Sequence, residues 1–412
     1  MAFQSGLSGL NSASKDLDVI GNNVANTSVV GFKASNAQFA DVFANSLSGG
    51  ASSIQVGIGS KIAAVAQQFN QGNITSTSNP LDTAINGKGF FRLDDNGTIN
   101  YSRNGQFHFD AQGFIVNDNA LKLTGYGVDA NGNIVATAPA PIQISFSDVA
   151  PQSTTQFAVG LNLDSRETPP ATALFNPIDP TSFNQSTSGT VYDSLGNPHV
   201  LTTYYVKTAT ANQWQIFGTI DGSQANANIG AGAGLPVTVN FNTSGALTTA
   251  MPLNASMVVA TGAVTPVAFT LDYTGSTQFG SPFGVNNLTQ DGFTSGRLSG
   301  LSVANDGTIV GSYTNGQTRN LAQVVTADFR NPQGLAPLGN NVWIDTAASG
   351  LPIVGVPSTG SLGTLQSSAV EDSNVDLTAE LVRMITAQRN YQANAQTIKT
   401  QDQVMQTLVN LR

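Results

Sequence analysis

The stretch SNVDLTAELVRMITAQRNYQANAQTIKTQDQVMQTLVNLR, residues 373–412, contains neither glycine nor proline and is rich in helix-forming residues. Its apolar residues recur at alternating spacings of four and three, which is the pattern of a heptad stripe on one helix. Asp376 precedes the stripe and can cap the helix. A helix from Leu377 onward would be about 50 Å long at ~1.5 Å per residue. The stripe residues that we expect to pack axially are Leu381, Met384, Tyr391, Ile398, Met405 and Val409.

The first 25 residues show the same spacing. Leu7, Leu10, Leu17 and Val24 lie on the stripe, and Ile20 lies beside it. A long helix with so narrow a stripe needs a partner, so we expect the two chain ends to form an antiparallel helical pair. An ordinary amphipathic helix on a globular core would explain either stripe alone. Stripes at both ends favour self-association.

Between the two ends, the sequence predicts β-structure. The chain has 412 residues, of which 42 are glycine and 17 are proline. Asn-Gly pairs such as Asn104-Gly105 and Asn131-Gly132 separate short alternating runs, which is a strong hairpin signal. The residues from Asp306 to Gln317 echo those from Asn96 to Gln106, which indicates either that the returning chain completes one β domain or that the two stretches form an internal repeat.

The predicted fold class is mixed and mainly β, with nested β domains inserted between coiled-coil-forming helices at the two ends. A composition shift marks the innermost insertion, because Lys207 is the only basic residue between Arg166 and Arg297. The four predicted layers are a terminal helical domain (1–26 with 374–412), a connector (27–72 with 356–373), an inner β domain (73–148 with 285–355) and an outer β domain (149–284).

Composition excludes several classes of protein. Only 10% of the residues are charged and the net charge is −9, with no run of basic residues, so we expect no nucleic-acid partner. The sequence has no cysteine, which excludes disulfides and thiolate metal sites. No stretch approaches the ~18 apolar residues of a membrane span, so we expect no membrane insertion. The first residues do not have the pattern of a secretory signal.

The sequence offers little for catalysis. His108 alternates with Phe107 and Phe109, which predicts a solvent-facing strand residue, and His199 follows Asn197-Pro198, which predicts a loop residue. A calcium loop starting at Asp129 lacks its glycine and its bidentate glutamate. No serine nucleophile elbow or nucleotide-binding motif is present. We therefore expect no cofactor and no enzymatic activity.

Motifs at both ends resemble a known family. The segment GLSGLNSASKDLDVIGNNVANTSVVGFK (6–33) is similar to the N-terminal signature of bacterial flagellar axial proteins, the rod and hook family, and residues 373–412 are similar to that family's closing helix. Within the family, GKGFFRL (87–93) and YSRNGQF (101–107) resemble the hook branch more than its relatives. The residues that match the family's N-terminal motif, and that we expect to set the end of the first helix, are Asn22, Asn23, Asn26, Gly31 and Phe32.

The resemblance implies a structural subunit that polymerises into a curved tube, a universal joint between rod and filament. It would lie outside the cell after export through the flagellar channel. Its implied partners are copies of itself, the distal rod protein, the hook cap, the hook–filament junction proteins and the export apparatus. The alternatives are a distal rod protein of the same family, or a secreted β-rich adhesin with a coiled-coil stalk. The adhesin alternative leaves a sugar-binding role open for Trp214 and Tyr204-Tyr205.

A second face of the last helix is rich in uncharged amides. In the family, such helices line a tube through which unfolded subunits travel. Neutral amides hydrate well and neither attract nor repel a passing chain strongly, so Gln396, Gln403 and Gln406 are candidates for a channel lining. The simpler interpretation is a polar face that meets only water.

Overall fold

The computed structural model describes residues 2–42, 59–129 and 132–410, and this part of the chain forms two α-helices and 28 β-strands. The first elements are α1 (Ala2–Ala25), β1 (Ser35–Val42), β2 (Gly59–Gln67), β3 (Ile74–Ser76), β4 (Thr83–Asn86), β5 (Phe90–Asp95), β6 (Thr98–Ser102), β7 (His108–Phe109), β8 (Ile115–Val116), β9 (Lys122–Val128) and β10 (Ile134–Pro141). The chain continues through β11 (Gln156–Asn162), β12 (Gln185–Tyr192), β13 (Pro198–Lys207), β14 (Gln213–Ile220), β15 (Ala227–Asn228), β16 (Val237–Asn240), β17 (Leu253–Met257), β18 (Val267–Asp272) and β19 (Gly284–Gln290). It returns through β20 (Leu298–Val303), β21 (Thr308–Tyr313), β22 (Thr318–Val324), β23 (Thr326–Asp328), β24 (Ala336–Gly339), β25 (Val342–Ile344), β26 (Ile353–Gly355), β27 (Thr364–Ser367), β28 (Ala369–Glu371) and α2 (Leu377–Asn410).

These elements belong to two compact units. The terminal unit comprises Met1–Phe146, Gly300–Ser312 and Thr318–Arg412, and the inserted unit comprises Ser147–Ser299 with Tyr313–Gln317. The predicted fold class, mainly β with a helix at each end of the chain, is confirmed. The finer division into four nested layers stays a prediction.

Local side-chain hydrogen bonds mark the start of α2 and the end of α1. At the start of α2, Asp376 Oδ1 accepts hydrogen bonds from the N–H groups of Thr378 (2.9 Å) and Ala379 (3.1 Å), so Asp376 caps the helix as predicted. At the end of α1, Thr27 Oγ1 donates to the Val24 carbonyl at 2.7 Å, and Asn26 Nδ2 donates to the Asn22 carbonyl at 2.8 Å. These side chains satisfy carbonyls that the helix leaves without a partner.

The main sheet of the terminal unit contains strands from both sides of the insertion. In its longest path the strands follow the order β20-β21-β22-β9-β5-β6-β25-β24. The pairs β22–β9, β23–β5 and β25–β6 each join a strand of the returning chain to one of the outgoing chain. The returning chain therefore completes this sheet rather than folding as a separate repeat. Phe90, Tyr101, Phe329 and Trp343 pack in its core.

Small two-stranded sheets connect this β-structure to the helices. β1 pairs antiparallel with β2, which contacts α1. Two more pairs, β3–β28 and β4–β27, join the outgoing chain to the residues that lead into α2. The segment predicted as a connector is thus held by strand pairing on both sides.

The inserted unit is built from a five-stranded and a four-stranded sheet. The first has the order β15-β17-β18-β11-β19 and the second β12-β13-β14-β16. Side chains from both sheets form one apolar core, which includes Phe157, Trp214 and Leu271. This is the arrangement of a β-sandwich. Trp214 and Tyr205 are completely buried there and therefore cannot stack on a sugar.

Candidate functional site

The helices α1 and α2 pack against each other in antiparallel orientation. A Cβ atom added at Gly6 would lie 3.2 Å from Ile398, whereas Asp16, further along α1, contacts Arg383, which precedes Ile398 in α2. The antiparallel pairing predicted from the two stripes is therefore correct. On α1, however, the contact is made by small residues beside the predicted stripe, whereas on α2 it includes Ile398, one of the predicted residues.

Small residues bring the two helices together. Gly6, Gly9 and Ala13 follow one another at spacings of three and four on α1, and Gly6 and Ala13 are buried. A Cβ atom at Gly9 would lie 2.6 Å from the Asn394 side-chain oxygen, so a larger residue there would displace this amide. The stripe that contacts α2 is thus the one next to Leu7, Leu10 and Leu17.

An ionic network fixes the register of the helices. The Arg383 guanidinium donates hydrogen bonds to Asn36 Oδ1 at 2.7 Å and to Glu380 Oε1 at 3.0 Å, and its other nitrogen lies 3.5 Å from Asp16 Oδ1. Glu380 is buried although it is charged. One arginine therefore joins α1, α2 and β1.

Five of the eleven predicted axial residues are left exposed. Leu7, Leu381 and Tyr391 keep 44%, 44% and 38% of their surface exposed. Towards the end of α2, Met405 and Val409 keep 60% and 71%. The other predicted residues are half-buried, except for Ile20, which is fully buried: Leu10, Leu17, Val24, Met384 and Ile398.

The N-terminal motif forms the junction between α1 and β1. The Asn23 side chain is buried and bonds the Ser35 backbone twice, donating to its carbonyl at 2.8 Å and accepting from its N–H at 2.9 Å. The Asn23 amide therefore bonds the backbone of Ser35 as a neighbouring strand would. Asn22, Asn26 and the half-buried Phe32 line a pocket together with Trp343.

Gly31 is required by its surroundings. Its φ of +72° lies in the left-handed region, and a Cβ there would lie 2.6 Å from the backbone nitrogen of Asn104. Its N–H donates to the Glu371 carbonyl at 2.7 Å. This bond brings the N-terminal motif against β28.

A buried ionic cluster at this junction was not predicted from the sequence. Glu371 Oε1 lies 2.6 Å from Lys33 Nζ, and Glu371 Oε2 lies 3.2 Å from Arg103 Nη1. Burial lowers the pKa of both bases, although the Glu371 carboxylate opposes this shift. The three residues come from the connector, the turn after β6 and β28.

Asn374 completes the anchor beneath α2. Its Oδ1 accepts from the Ala34 N–H at 2.7 Å, and its Nδ2 donates to the Gln68 and Asn70 carbonyls at 2.7 and 3.1 Å. This residue lies inside the family-like stretch, but its role could not be derived from helix periodicity because it precedes the helix. The Glu371 cluster and Asn374 together define where both helices leave the β-structure.

Among the candidate channel residues, Gln396 and Gln403 lie on the face of α2 away from α1. Gln396, Gln403 and Gln406 are all exposed. Ala387, which is buried in the helix contact, precedes Gln396 by nine positions, or about two and a half helical turns. Gln406 Nε2 donates to Asp402 at 3.0 Å. Gln403, seven positions after Gln396, lies on the same face, whereas Gln406 lies only about a quarter of a turn from the direction of Ala387.

The two histidines differ in their environments. His108 is exposed on β7, as predicted. The prediction of a loop position for His199 is wrong, because it is a buried residue of β13 that contacts Asp193 and Asp221. Among the described residues, no group of three or more acidic or histidine side chains could hold a metal ion, and no helix is long and apolar enough to cross a membrane.

Comparisons with known proteins agree with this arrangement along the chain. Residues 3–33 match the family described as flagella basal body rod protein, and residues 366–411 match the flagellar basal body rod FlgEFG protein C-terminal family. Residues 84–162 match the flagellar hook protein FlgE/F/G D1 domain, and residues 162–293 match the flagellar basal body protein FlaE D2 domain. Helices and β-structure together define a flagellar axial protein.

Full-length relatives narrow the assignment. The chain is 44% identical to the flagellar hook protein FlgE of Escherichia coli K12 over 421 residues, and 44% identical to that of Salmonella typhimurium LT2 over 418, with all of both chains covered in each case. It is 32% identical to FlgE of Borreliella burgdorferi, over all of this chain and 99% of the relative. The crystal structure of Helicobacter pylori FlgE2 matches in fold alone, with a TM-score of 0.52 and 14% identity over 72% of this chain and all of that one. The chain belongs to the flagellar hook protein family.

Proposed function

We propose that this hook-family chain joins copies of itself through the exposed apolar stripes of α1 and α2. As a hook protein, it is a structural subunit of the bacterial flagellum, and the hook lies outside the cell. The observation that carries the proposal is the exposure of Leu381, Met405 and Val409 along one long helix. Apolar surface of this extent is normally covered in the functional state.

The helix contact within one chain supports this assignment. On α1 it is made by Gly6, Gly9 and Ala13, together with the Arg383 network. It leaves exposed Leu7 of α1 and Leu381, Met405 and Val409 of α2. Each buried side chain of this kind contributes about 1.5–3 kcal/mol when it leaves water. Burial of the exposed stripe residues between subunits would therefore favour association.

We propose a separate role for the amide face of α2. Gln396, Gln403 and Gln406 would line the central channel. Gln396 and Gln403 lie opposite to the α1 contact, and all three side chains are exposed. Uncharged amides would let an unfolded chain pass without strong electrostatic attraction. We propose the partners that belong to this role. They are the distal rod protein and the hook cap at the two ends of the hook, the junction proteins towards the filament, and the export apparatus before assembly.

A role in catalysis has no support in the part of the chain that the structure describes. His199 is enclosed by carboxylates, and His108 faces solvent without a nucleophile in its hydrogen-bond contacts. We therefore propose a purely structural protein. The rod-protein alternative is not favoured, because the full-length relatives are hook proteins and the match covers the inserted unit.

Replacement of stripe residues tests the proposal. Leu381→Asp with Met405→Asp places charges on the stripe without touching the Gly9 contact, and should abolish hook assembly and swimming in a strain that lacks its own hook protein. Leu174→Asp is the matched control, because Leu174 is 82% exposed in the inserted unit, outside both helices. Equal swimming with both variants would reject the stripes as the subunit contact.

A further inference from the structure

His199, at the start of β13 in the inserted unit, lies between two carboxylates that come from different segments. Its Nδ1 is 2.7 Å from Asp221 Oδ2, and its Nε2 is 3.4 Å from Asp193 Oδ2. A neutral imidazole has only one N–H and can donate to only one of them. Both contacts are satisfied at once only by the imidazolium.

Asp193 organises the turn that precedes β13. Its Oδ1 accepts from the N–H groups of Leu195 and Asn197, both at 2.9 Å. Its Oδ2 accepts from Asn197 Nδ2 at 2.9 Å and from Thr261 Oγ1 at 2.6 Å. Asp193 is fully buried, so these donors and His199 replace the water that the carboxylate has lost.

Asp221 connects the same histidine to the end of β14. Its Oδ1 accepts from the Val200 N–H at 2.8 Å while its Oδ2 faces His199. Its side chain is half exposed, so water screens this part of the interaction. The charged groups that face the imidazole within the described residues are these two carboxylates.

The turn rests against the segments by which the chain enters and leaves the inserted unit. A Cβ atom at Gly196 would lie 2.6 Å from the Pro151 side chain and 3.2 Å from Thr294 Cα. The two segments are themselves paired, since Gln152 and Phe293 exchange backbone hydrogen bonds of 3.0 and 2.9 Å. The position of the turn is thus coupled to the base of this unit.

We propose that protonated His199 is a pH-sensitive brace that holds the turn at 193–198 to the end of β14 and against Pro151 and Thr294. The brace is complete when the ring bonds both carboxylates. When the ring loses its proton, one nitrogen becomes an acceptor that faces a carboxylate oxygen. The turn then loses one of its two attachments through His199, and its packing on the base of the unit loosens.

The direction of the pH effect follows from the surroundings of the ring. Burial alone lowers the pKa of His199, but the hydrogen bonds and charges of Asp221 and Asp193 outweigh it and raise this pKa above its ordinary value. A group with a raised pKa contributes its stabilisation fully below its ordinary pKa. That contribution is lost as the pH rises through the raised value in the folded protein.

Titration of the ring tests the direction of this effect. We would titrate the full chain by NMR and follow the ring signals of His199, which are distinguished from those of the second histidine by the variant His108→Gln. The expected result is that His199 titrates above the ordinary histidine pKa of 6.5. Titration of His199 at or below that value would overturn the proposal.

Amide exchange tests the structural consequence. We would compare the protection of the Leu195, Asn197 and Val200 amides in the wild type with that in His199→Gln at each pH. The ratio of amide protection in the wild type to that in His199→Gln should exceed one at low pH. It should fall towards one as the pH rises through the His199 pKa. A ratio that does not change with pH contradicts the brace. Asp221→Asn, which removes only the half-exposed partner, should lower the His199 pKa, and an unchanged value would also contradict it. None of these measurements depends on the proposed assembly surface.

Discussion

Lys33 Nζ lies 2.6 Å from Glu371 Oε1, although the two residues are 338 positions apart, and neither side chain has any exposed surface. Lys33 follows the N-terminal motif and Glu371 ends the last strand before α2. Arg103 approaches the other carboxylate oxygen from the main sheet. A single carboxylate therefore fixes the two chain ends to the β-structure, and the helices extend from a defined base.

Removal of the negative charge of Glu371 should destabilise the region where the two helices join the β-structure. Glu371→Gln leaves Lys33 and Arg103 buried without a counter-charge, and breaking a buried ion pair in this way costs about 3–5 kcal/mol. We expect the urea midpoint of the terminal unit to fall accordingly. Asp372→Asn is the matched control, because it removes a negative charge from the adjacent residue. The asparagine keeps a side-chain oxygen that can accept the 3.2 Å hydrogen bond from the Thr75 hydroxyl. Similar midpoints for the two variants would show that Glu371 is not the anchor.

Two glycines of α1 should respond oppositely to alanine. Gly21 has no atom within 4 Å of the position of an added Cβ, so Gly21→Ala should stabilise the helix by about 1 kcal/mol through propensity alone. Gly9→Ala gains the same propensity but must displace the Asn394 amide, which is the end of a side chain, so it should be less stable than Gly21→Ala by about 1 kcal/mol. Thermal unfolding followed by circular dichroism at 222 nm measures both.

A second substitution identifies the cause of the Gly9 effect. Gly9→Ala combined with Asn394→Ala removes the obstructing amide and should recover most of the lost stability. If the double variant is no more stable than Gly9→Ala, the close approach of the helices is not the reason for glycine at this position.

Negative charge on the amide face should impede export. Gln396→Glu, Gln403→Glu and Gln406→Glu together add three carboxylates near Asp402, which should slow the passage of later subunits while the hook itself still assembles. The measurement is the amount of later flagellar subunits on cells with intact hooks. The control replaces the same three residues by asparagine, which keeps the amides. Normal filament growth in the glutamate variant would leave this face as ordinary polar surface.

The inserted unit should lose stability in acid through Asp291. Its Oδ1 accepts from the N–H groups of Thr155 and Gln156 at 2.8 and 2.9 Å, and its Oδ2 bonds the Thr155 hydroxyl. Burial alone raises the pKa of this carboxyl, but these bonds outweigh it and hold the pKa below its ordinary value. A carboxylate whose pKa is lowered by folding stabilises the fold at every pH above its ordinary pKa. This contribution is lost as the pH falls through the lowered pKa of the folded protein.

Trp214 fluorescence in a Trp343→Phe background follows the unfolding of this unit. Asp291→Asn should reduce the loss of stability as the pH falls below the ordinary pKa of an aspartate, 3.8. Asp272→Asn controls for the loss of one charge on the same sheet. An acid limb as steep as that of the wild type would exclude a role for Asp291.

The helices and their antiparallel pairing could be predicted because heptad spacing is a local signal. The hairpin signal of Asn-Gly was a partial guide. Asn96-Gly97 joins the paired strands β5 and β6, and both residues have a positive φ. The prediction of a hairpin at Asn104-Gly105 is wrong, because β6 pairs with β5 and β25 while β7 pairs with β8, and Asn131 lies outside the described residues. The contact between the helices was assigned to the large residues, but glycine and alanine next to them allow the closer approach. Glu371 and His199 could not be placed, because their partners come from strands that only the folded sheet brings together.

The most direct test of the assembly surface is the rate at which dilute peroxide oxidises individual methionines, measured by mass spectrometry in the monomer and in isolated hooks. Met405 is 60% exposed in the single chain, and Met257 is fully buried in the inserted unit. Oxidation of methionine requires access to its sulfur. Our account predicts that Met405 reacts quickly in the monomer and slowly in the hook, while Met257 reacts slowly in both. Equally fast oxidation of Met405 in both states would contradict it.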